Sequence, residues 1–505
     1  MADTLETEIK LAATPGMLAL LRDHPALAGK DSSALLTTTY FDTEDARLNR
    51  AGIALRIRES ADQRELTVKI SAVPNMTTRR NEWTVPTRRD HPDIPSLPAK
   101  ARELIAPVLG NLKLAPVAQT TIERLARRVK HCRSTIEIAF DRGDIHADTN
   151  SEPICELELE LKSGELADLL ALALKLPLGP NLQWSTRPKG ERCHALAYDI
   201  PARAVRAGPI VLTPTQDVAS GFRAIGWNCL EQLLANYPLV IASGDSEAVH
   251  QSRVAIRRLR AAMALFRKIV KGRKMRVLRA ELRAVATQLG KVRDLDVLLD
   301  RIGPNTLPDD QEAAELFTHL RMRRQAALDA SKAMLCSDQF QHLVMQVAFW
   351  LEAGAWTERC ADGGGTLGPF AAEVLARRRR KLRRKAKHLG KLSDRARHRA
   401  RIEAKKLRYG MGFFDSLYDH EDAGESKQLT KALGRLQDQL GTLNDMTTIE
   451  KKRSDLFDDL DPLTAAKLSA KLNNLDTKAD ALRAKLIKSA KKALARVRKA
   501  DLPAA

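Results

Sequence analysis

Cys155-Glu156-Leu157-Glu158-Leu159-Glu160-Leu161 alternates acid with hydrophobe. Period two places three carboxylates on one face of a β-strand and leucines on the other. Like charges in a row cost stability unless a cation sits against them. Other segments near the N-terminus share the pattern. Glu6, Glu8 and Lys10 alternate with Thr7, Ile9 and Leu11, and Arg56 and Arg58 with Leu55 and Ile57. Thr67 and Lys69 alternate with Leu66, Val68 and Ile70, and Arg80, Glu82 and Thr84 with Trp83 and Val85. Glu137 and Asp141 alternate with Ile136, Ile138 and Phe140. Any one such segment suits a sheet with one wet face. Together they pose paired problems: the glutamates want a cation and the arginines want an anion. A barrel with its charges turned inward puts both in one lumen. Carboxylates there would bind a hard divalent metal, and Arg and Lys would bind phosphate oxygens. Phosphoryl transfer needs that inventory, because positioning and charge neutralisation supply most of its catalysis.

Outside this region the sequence changes character. The chain has 505 residues and a formal net charge of +21. Residues 1–210 carry about +1 and residues 211–505 about +20, so the halves do different electrostatic work. Short alternating stretches fill the first part, and long Ala/Leu/Arg/Lys stretches of helical period fill the second. The division expected is residues 1–203, a linker over 204–216 containing Pro209 and Pro214, and a helical region over 217–500. Gly303–Asp310 and Ala361–Gly368 break the helical part, giving two blocks of about 217–360 and 368–500.

Those blocks repeat. His250-x-x-Arg253-x-x-x-Arg257-Arg258-Leu259-Arg260 returns as His398-x-x-Arg401-x-x-x-Lys405-Lys406-Leu407-Arg408. Leu289-Gly290-x-Val292-Arg293-Asp294 returns as Leu440-Gly441-x-Leu443-Asn444-Asp445. At ~100° per residue, Arg253, Arg257 and Arg260 fall within about 80° of His250 on one helix face. Cations so placed repel one another on an isolated helix, and a common polyanion would relieve them. Aromatic residues are 4% of the chain, and Trp350 and Trp356 lie outside the repeated motifs, so base stacking has little support. Arg and Lys without stacking residues suit phosphate itself rather than nucleic acid. Arg377–Lys387 widens this basic surface, with Leu375, Leu382 and Leu389 marking a buried edge.

Cys132, Cys155, Cys193, Cys229, Cys336 and Cys360 show neither C-x-x-C nor zinc spacing, as expected of reduced thiols in a cytosolic protein. No apolar run reaches the ~18 residues of a membrane-spanning helix. Met1–Lys10 is acidic and polar, unlike a signal peptide. No Walker A sequence is present. The expectation is a cytoplasmic protein without membrane contact; oligomeric state is not legible.

Two resemblances sharpen this reading. Glu6-x-Glu8-x-Lys10 resembles the E-x-E-x-K signature of the CYTH superfamily, the triphosphate tunnel metalloenzymes. It is followed in order by Tyr40-Phe41-Asp42-Thr43, Leu55-Arg56-Ile57-Arg58, Thr67-Val68-Lys69, Arg80-Asn81-Glu82-Trp83, Arg124, Glu137 through Gly143, Glu156 through Leu161, and Lys189-x-x-Arg192. The set looks like the bacterial inorganic triphosphatase branch. The resemblance implies an eight-stranded antiparallel β-tunnel with flanking helices that hydrolyses inorganic triphosphate with Mg2+ or Mn2+. It implies Glu6, Glu8, Glu158 and Glu160 as metal ligands, and Lys10, Arg56, Arg58, Lys69, Arg80, Arg124, Lys189 and Arg192 as triphosphate ligands. Glu6, Glu8, Lys10, Glu82 and Asp141 would form the catalytic set, around water attack on a terminal phosphorus. Pro188 before the lysine, and Cys193-His194 where this branch often has Gly-Tyr, depart from the pattern.

The duplicated helices resemble the CHAD domain. That resemblance implies two four-helix halves around a basic channel binding inorganic polyphosphate, with His250, Arg253, Arg257, Arg260, His398, Arg401, Lys405 and Arg408 as matching positions. Association with polyphosphate granules follows as a further expectation. The fold class is then α+β multidomain: a tunnel followed by an all-α duplicated domain. Two alternatives stay open. One is a non-catalytic polyphosphate-binding or granule-targeting protein. The other is a tunnel enzyme acting on an organic triphosphate, as an adenylate cyclase or thiamine triphosphatase.

Overall fold

The computed structural model describes residues 4–499 apart from 62, 72–78, 303–310, 361–363, 419–422, 459 and 475–478. The alternating segments form nine antiparallel strands. These are β1 (Thr4–Ala13), β2 (Ser32–Asp42), β3 (Ile53–Ser60), β4 (Gln63–Ser71), β5 (Arg79–Pro86), β6 (Ala115–His131), β7 (Ser134–Ala147), β8 (Asn150–Ser163) and β9 (Leu182–Ser185). Their order is β5-β4-β3-β2-β6-β7-β8-β1-β9, and a further pairing of β1 with β5 closes eight of them into a ring. Strand β1 makes closure possible by dividing one edge. Thr4–Thr7 pair with β5 and Lys10–Ala13 with β9, while Glu8–Ala12 pair with β8 on the other side.

Period two then sorts the residues. The apolar sets of β3, β4 and β5, namely Leu55, Ile57, Leu66, Val68, Trp83 and Val85, pack outside the ring with Ala101 and Ile105 of the helix Ala99–Leu109. The main apolar core of this region thus lies between strands and covering helices, which leaves the lumen for charge. One end of the lumen is apolar. Leu36, Tyr40, Ile122, Ile145 and Ile154 gather there with Cys193, Leu196 and Ala197 of the helix Lys189–Ala197. That helix fills the end of the barrel and presents its first residue, Lys189, to the charged part.

Gly143 is required where β7 crosses β6. A Cβ there would stand 1.9 Å from the Thr121 carbonyl oxygen, and backbone cannot move aside cheaply.

The rest of the described chain is helical. The chain packs into two compact units, each drawn from several stretches. The first comprises Met1–Pro209, Leu230–Ser252 and Lys332–Gly354; the second comprises Ile210–Cys229, Arg253–Ser331 and Ala355–Ala505. In the first unit, the helix Asp338–Ala353 packs on Leu166–Ala173, whose Leu166, Leu169, Leu170 and Leu172 are buried. Tyr237 donates to the Trp184 carbonyl of β9 at 2.9 Å. Asn236 clasps Val205 from both sides, accepting from its N–H at 2.9 Å and donating to its carbonyl at 2.8 Å. In the second unit long amphipathic helices, among them Arg273–Ile302, Leu367–Lys385, Asp394–Phe413 and Ala479–Lys499, enclose leucine-rich cores. Among the described residues no helix is long and apolar enough to cross a membrane.

Gly143→Ala is expected to destabilise the barrel by about 2–4 kcal/mol, because relief requires parting β6 from β7. Thermal unfolding checks this; an unchanged midpoint would mean that the close approach is not real.

Candidate active site and cationic groove

Register brings charges of both signs together. Across β1 and β8, Lys10 stands opposite Glu158 and Glu8 opposite Glu160. Asp141 stands between Arg124 of β6 and Glu156 of β8, and Lys69 stands opposite Glu82. The lumen is a cavity of about 460 Å3, within the ~300–1,000 Å3 usual for small-ligand sites. Glu6, Glu8, Lys10, Arg56, Arg58, Lys69, Glu82, Arg124, Glu158, Glu160 and Lys189 line it, with Tyr40, Glu137 and Lys162.

The charges form linked groups. Lys189, 5% exposed, donates to Asp141 at 2.8 Å, to Glu158 at 2.9 Å and also to Glu156. Arg124 donates to both oxygens of Asp141, at 2.7 and 2.6 Å, and to Glu158 at 2.6 Å. Burial opposes ionisation of Asp141 and Glu158. The surrounding cations win, Lys189 and Arg124 at Asp141 and Lys10, Lys189 and Arg124 at Glu158, and hold both carboxyls below the usual range, Glu158 far below. Lys69 joins Glu6 at 2.7 Å to Glu82 at 3.3 Å, and Arg56 lies 3.5 Å from Glu82. Burial again opposes the Glu82 charge, and Lys69 and Arg56 outweigh it.

Arg58 is the exception. Its Nε donates to the Thr38 hydroxyl at 3.4 Å, and it has no carboxylate partner among the described residues. Repulsion from Arg56, then burial, then repulsion from Arg124 push it down to about 10. A guanidinium so placed is relieved by an incoming anion.

The acids meet the opposite condition at Glu160. It lies opposite Glu8, and like charges directly opposed on a sheet repel. Burial, with Glu6 adding repulsion, raises its carboxyl above the usual value in spite of Lys162 at 2.7 Å. Glu6, Glu8, Glu158 and Glu160 are oxygen donors of the kind a hard divalent cation takes, and the opposed pair Glu8 and Glu160 is the part whose repulsion such a cation would relieve, since Glu6 is held by Lys69 and Glu158 by Lys10, Lys189 and Arg124. Asp141, Glu156 and Glu158 approach most closely, with oxygens within 4.8 Å of one another, and the Lys189 ammonium sits among them.

Arg192 stands apart from the cavity. It donates to Glu152 and to the Pro153 carbonyl, both at 2.7 Å, and lies 3.6 Å from Glu156. Arg80 faces Glu6 in the strand register, and its side chain lies outside the described residues. Pro188 stands at the N-cap of the helix Lys189–Ala197, with extended backbone, and the second residue of that helix is a glycine. A Cβ at Gly190 would stand 3.1 Å from the Tyr40 ring and 3.4 Å from Ala54, so glycine lets the helix enter the barrel. His194 lies 3.1 Å from Asp42, which also accepts from the N–H groups of Thr43, Leu48 and Asn49. The region around Cys193-His194 thus ties the plug helix to the end of β2. Lys162 and Tyr40 had no role from sequence, although Lys162 continues the inward parity of Glu156, Glu158 and Glu160.

Residues 4–187 match the family model for the CYTH domain, and residues 224–453 match that for the CHAD domain. Over 196 residues the chain is 31% identical to the inorganic triphosphatase of Haemophilus influenzae, covering 38% of this chain and 54% of that one. The chain thus spans about half the length of that relative. It is 26% identical over 407 residues to an uncharacterized protein of Mycobacterium tuberculosis, covering 74% of this chain and 75% of the other. The solved CHAD domain from the plant Ricinus communis superposes with a TM-score of 0.53 at 26% identity, covering 60% of this chain and 99% of that one. This chain is a CYTH domain joined to a CHAD domain.

In the CHAD region the two repeated motifs lie against each other. Arg253 of the helix Ser246–Leu265 donates to the Ala286 carbonyl of Arg273–Ile302, and a Cβ on Gly290 would lie 2.2 Å from its Nη1. In the second copy a Cβ on Gly441 would lie 3.7 Å from Nη2 of Arg401, an ordinary contact, so the same glycine and arginine meet there less closely. In the first copy the repeated glycine is the flat place over which the repeated arginine lies. Arg253, Arg257 and Arg260 line a groove of about 390 Å3 with Arg283 and Lys291, and Asp294 is its acid. Burial lowers Arg253, with Asp294 partly offsetting, and burial with Arg279 and Arg283 lowers Arg260. Arg283 and Lys291 were not singled out from the sequence, because they belong to no repeated motif. His250 is half-buried one turn before Arg253, and His398 is exposed. Arg257 donates to the Tyr409 hydroxyl, and Arg408 donates to Gln437 at 3.0 Å. Lys405 is half-buried on the helix of Arg401. The side chains of Asn444 and Asp445 lie outside the described residues.

Lys189→Met is expected to cost about 3–5 kcal/mol at pH 7, because it strands buried carboxylates. In the wild type, Asp141 and Glu158 have depressed folded values. Their contribution is complete above the ordinary carboxylate range of about 4 and is lost as pH falls through the folded values. Without Lys189 those values rise, so the variant's deficit shrinks as pH falls from 7 toward about 4. Thermal melting of both proteins across this range checks the sign.

Proposed function

We propose that the tunnel hydrolyses inorganic triphosphate with Mg2+ or Mn2+, and that the helical region holds inorganic polyphosphate. The observation that carries the first part is Arg58, pressed between Arg56 and Arg124 without a carboxylate of its own. A linear phosphoanion entering beside it would meet Lys10, Arg56, Arg124, Lys69 and Lys189 along one lumen. The relationship to the Haemophilus influenzae inorganic triphosphatase supports the same substrate class.

Glu6, Glu8, Glu158 and Glu160 are the residues that would hold the divalent cation, whose chemistry is to neutralise charge on the phosphoryl oxygens. Arg56, Arg58 and Arg124 hold the chain in line and stabilise the charge that develops as the bridging P–O bond lengthens. Water oxygen bonds to the terminal phosphorus, and the bridging oxygen leaves with its electron pair as diphosphate. A proton passes to solvent. Asp141 and Glu82 are held ionised by their cations, so they set the positions of Arg124, Lys189, Lys69 and Arg56 rather than accept that proton.

A binding tunnel without turnover is favoured by one observation: Lys189 already neutralises the tightest carboxylate group. Phosphate release from tripolyphosphate, longer polyphosphate, ATP and thiamine triphosphate, each with and without metal, separates the readings. Glu8→Gln is expected to cut metal-dependent release from tripolyphosphate by at least about 100-fold and leave polyphosphate binding intact. Release that needs no metal, or that survives the substitution, would contradict the proposal. For the helical region, the pair Arg253→Ala and Arg401→Ala is expected to weaken polyphosphate binding about tenfold and to reduce its salt dependence. Fluorescence anisotropy with labelled polyphosphate at two ionic strengths reads both.

A further inference from the structure

The second unit carries another cationic recess, built from none of the residues placed in the groove above. The helix Leu367–Lys385 ends at Ala386, and the chain turns through His388, whose φ of 58° lies in the left-handed region. A single tight turn, Leu389–Lys391, follows, and it packs against the last helix, Ala479–Lys499. Between them lies a recess of about 350 Å3, lined by His388, Lys391, Lys491 and Arg498 over an apolar floor that includes the buried Leu494. Among the described residues no carboxylate lines it, and none of its four basic side chains has an ion-pair partner. Elsewhere in this unit some basic residues are neutralised: Glu403 alone serves Arg378, Lys385 and Lys406.

The recess is shaped as well as charged. Lys491 and Arg498 lie two turns apart on one helix face. The Arg498 carbonyl accepts from Arg379 at 3.0 Å, which ties down the end of that helix. Lys491 lies directly over Gly390. A Cβ there would stand 2.3 Å from its Cε and 2.4 Å from its Nζ, so a bare backbone is what admits the ammonium. Gly390 does not have a positive φ. Alanine is therefore conformationally tolerated there, and its effect falls on the position of Lys491.

We propose that this recess is a second oxyanion site, which takes a phosphate ion or the terminal phosphoryl group of a phosphoanion. Three permanent cations and a histidine match an anion of charge two or more better than a singly charged carboxylate.

Site-resolved lysine acylation of the full chain, read by peptide mass spectrometry, tests this with inorganic phosphate and with tripolyphosphate as probes. The expected result is a saturable fall of at least about fivefold in acylation of Lys391 and Lys491, against little change at the exposed Lys30 and Lys113. Protection by phosphate alone identifies the free ion as sufficient. Protection by tripolyphosphate only identifies a chain terminus. Gly390→Ala, which keeps every charge, is expected to abolish protection at Lys491 with the melting temperature retained, and Arg498→Gln to weaken it. A fall no larger than at Lys30 and Lys113 would overturn the proposal, as would equal protection in Gly390→Ala. Lys405, read in the same digest, reports on the proposed polyphosphate surface, so failure of one assignment is distinguishable from failure of the other.

Discussion

An ammonium held among three carboxylates is the interaction on which the barrel depends. Asp141 and Glu156 are 0% and 2% exposed, and removing Lys189 would leave Asp141 with Arg124 alone and Glu156 with only the more distant Arg192. The cation comes from a helix that fills the apolar end of the lumen, so seating that helix and neutralising those acids are one event. Burying Cys193 among Ile122, Ile145 and Ile154 seats the plug. Lys189 then completes the electrostatics, and Arg124 ties the same acids to β6.

Because the lumen is reserved for charge, the strands find their hydrophobic burial on the outside. The helix Ala99–Leu109 covers β3, β4 and β5, and Asp338–Ala353 covers Leu166–Ala173. A ring of eight strands with charged residues inward is stable only because register alternates the signs, as Lys10 with Glu158 and Arg124 with Asp141. Where charge is left unbalanced, at Arg58 crowded by Arg56 and Arg124 and at Glu8 opposite Glu160, the proposed phosphoanion and cation would restore the balance. The helical region handles like charge differently: it spreads cations over long surfaces and seats selected ones on glycine.

The barrel was legible because period two is a local signal. Glu156, Glu158 and Glu160 declare a shared face without reference to any other strand, and the same holds for Arg56 with Arg58. The repeats were legible because copying leaves matched residues. What sequence could not supply was pairing between distant positions. Nothing around residue 189 says that its amine meets residues 141, 156 and 158, and Arg192 looked equivalent to it until register showed Glu152 and Pro153 beside its guanidinium. The division of β1 between β5 and β9 was likewise hidden, since pairing between distant strands leaves no local pattern. The repeat at Leu289-Gly290 does not say what its glycine is for; it lies inside the helix Arg273–Ile302 and serves as a seat for Arg253. A glycine needed for close approach and a glycine needed for a turn are identical in sequence.

The central claim is that the lumen exchanges its internal ion pairs for a metal and a phosphate chain. A crystal structure of the full chain grown with tripolyphosphate and Mn2+, with anomalous scattering recorded at the manganese edge, examines it most directly. The account predicts a manganese peak among Glu6, Glu8, Glu158 and Glu160, with phosphoryl groups on Arg56, Arg58 and Arg124. Manganese and phosphate found only outside the barrel, with Lys69 still on Glu6 and Arg58 still facing Thr38, would contradict it.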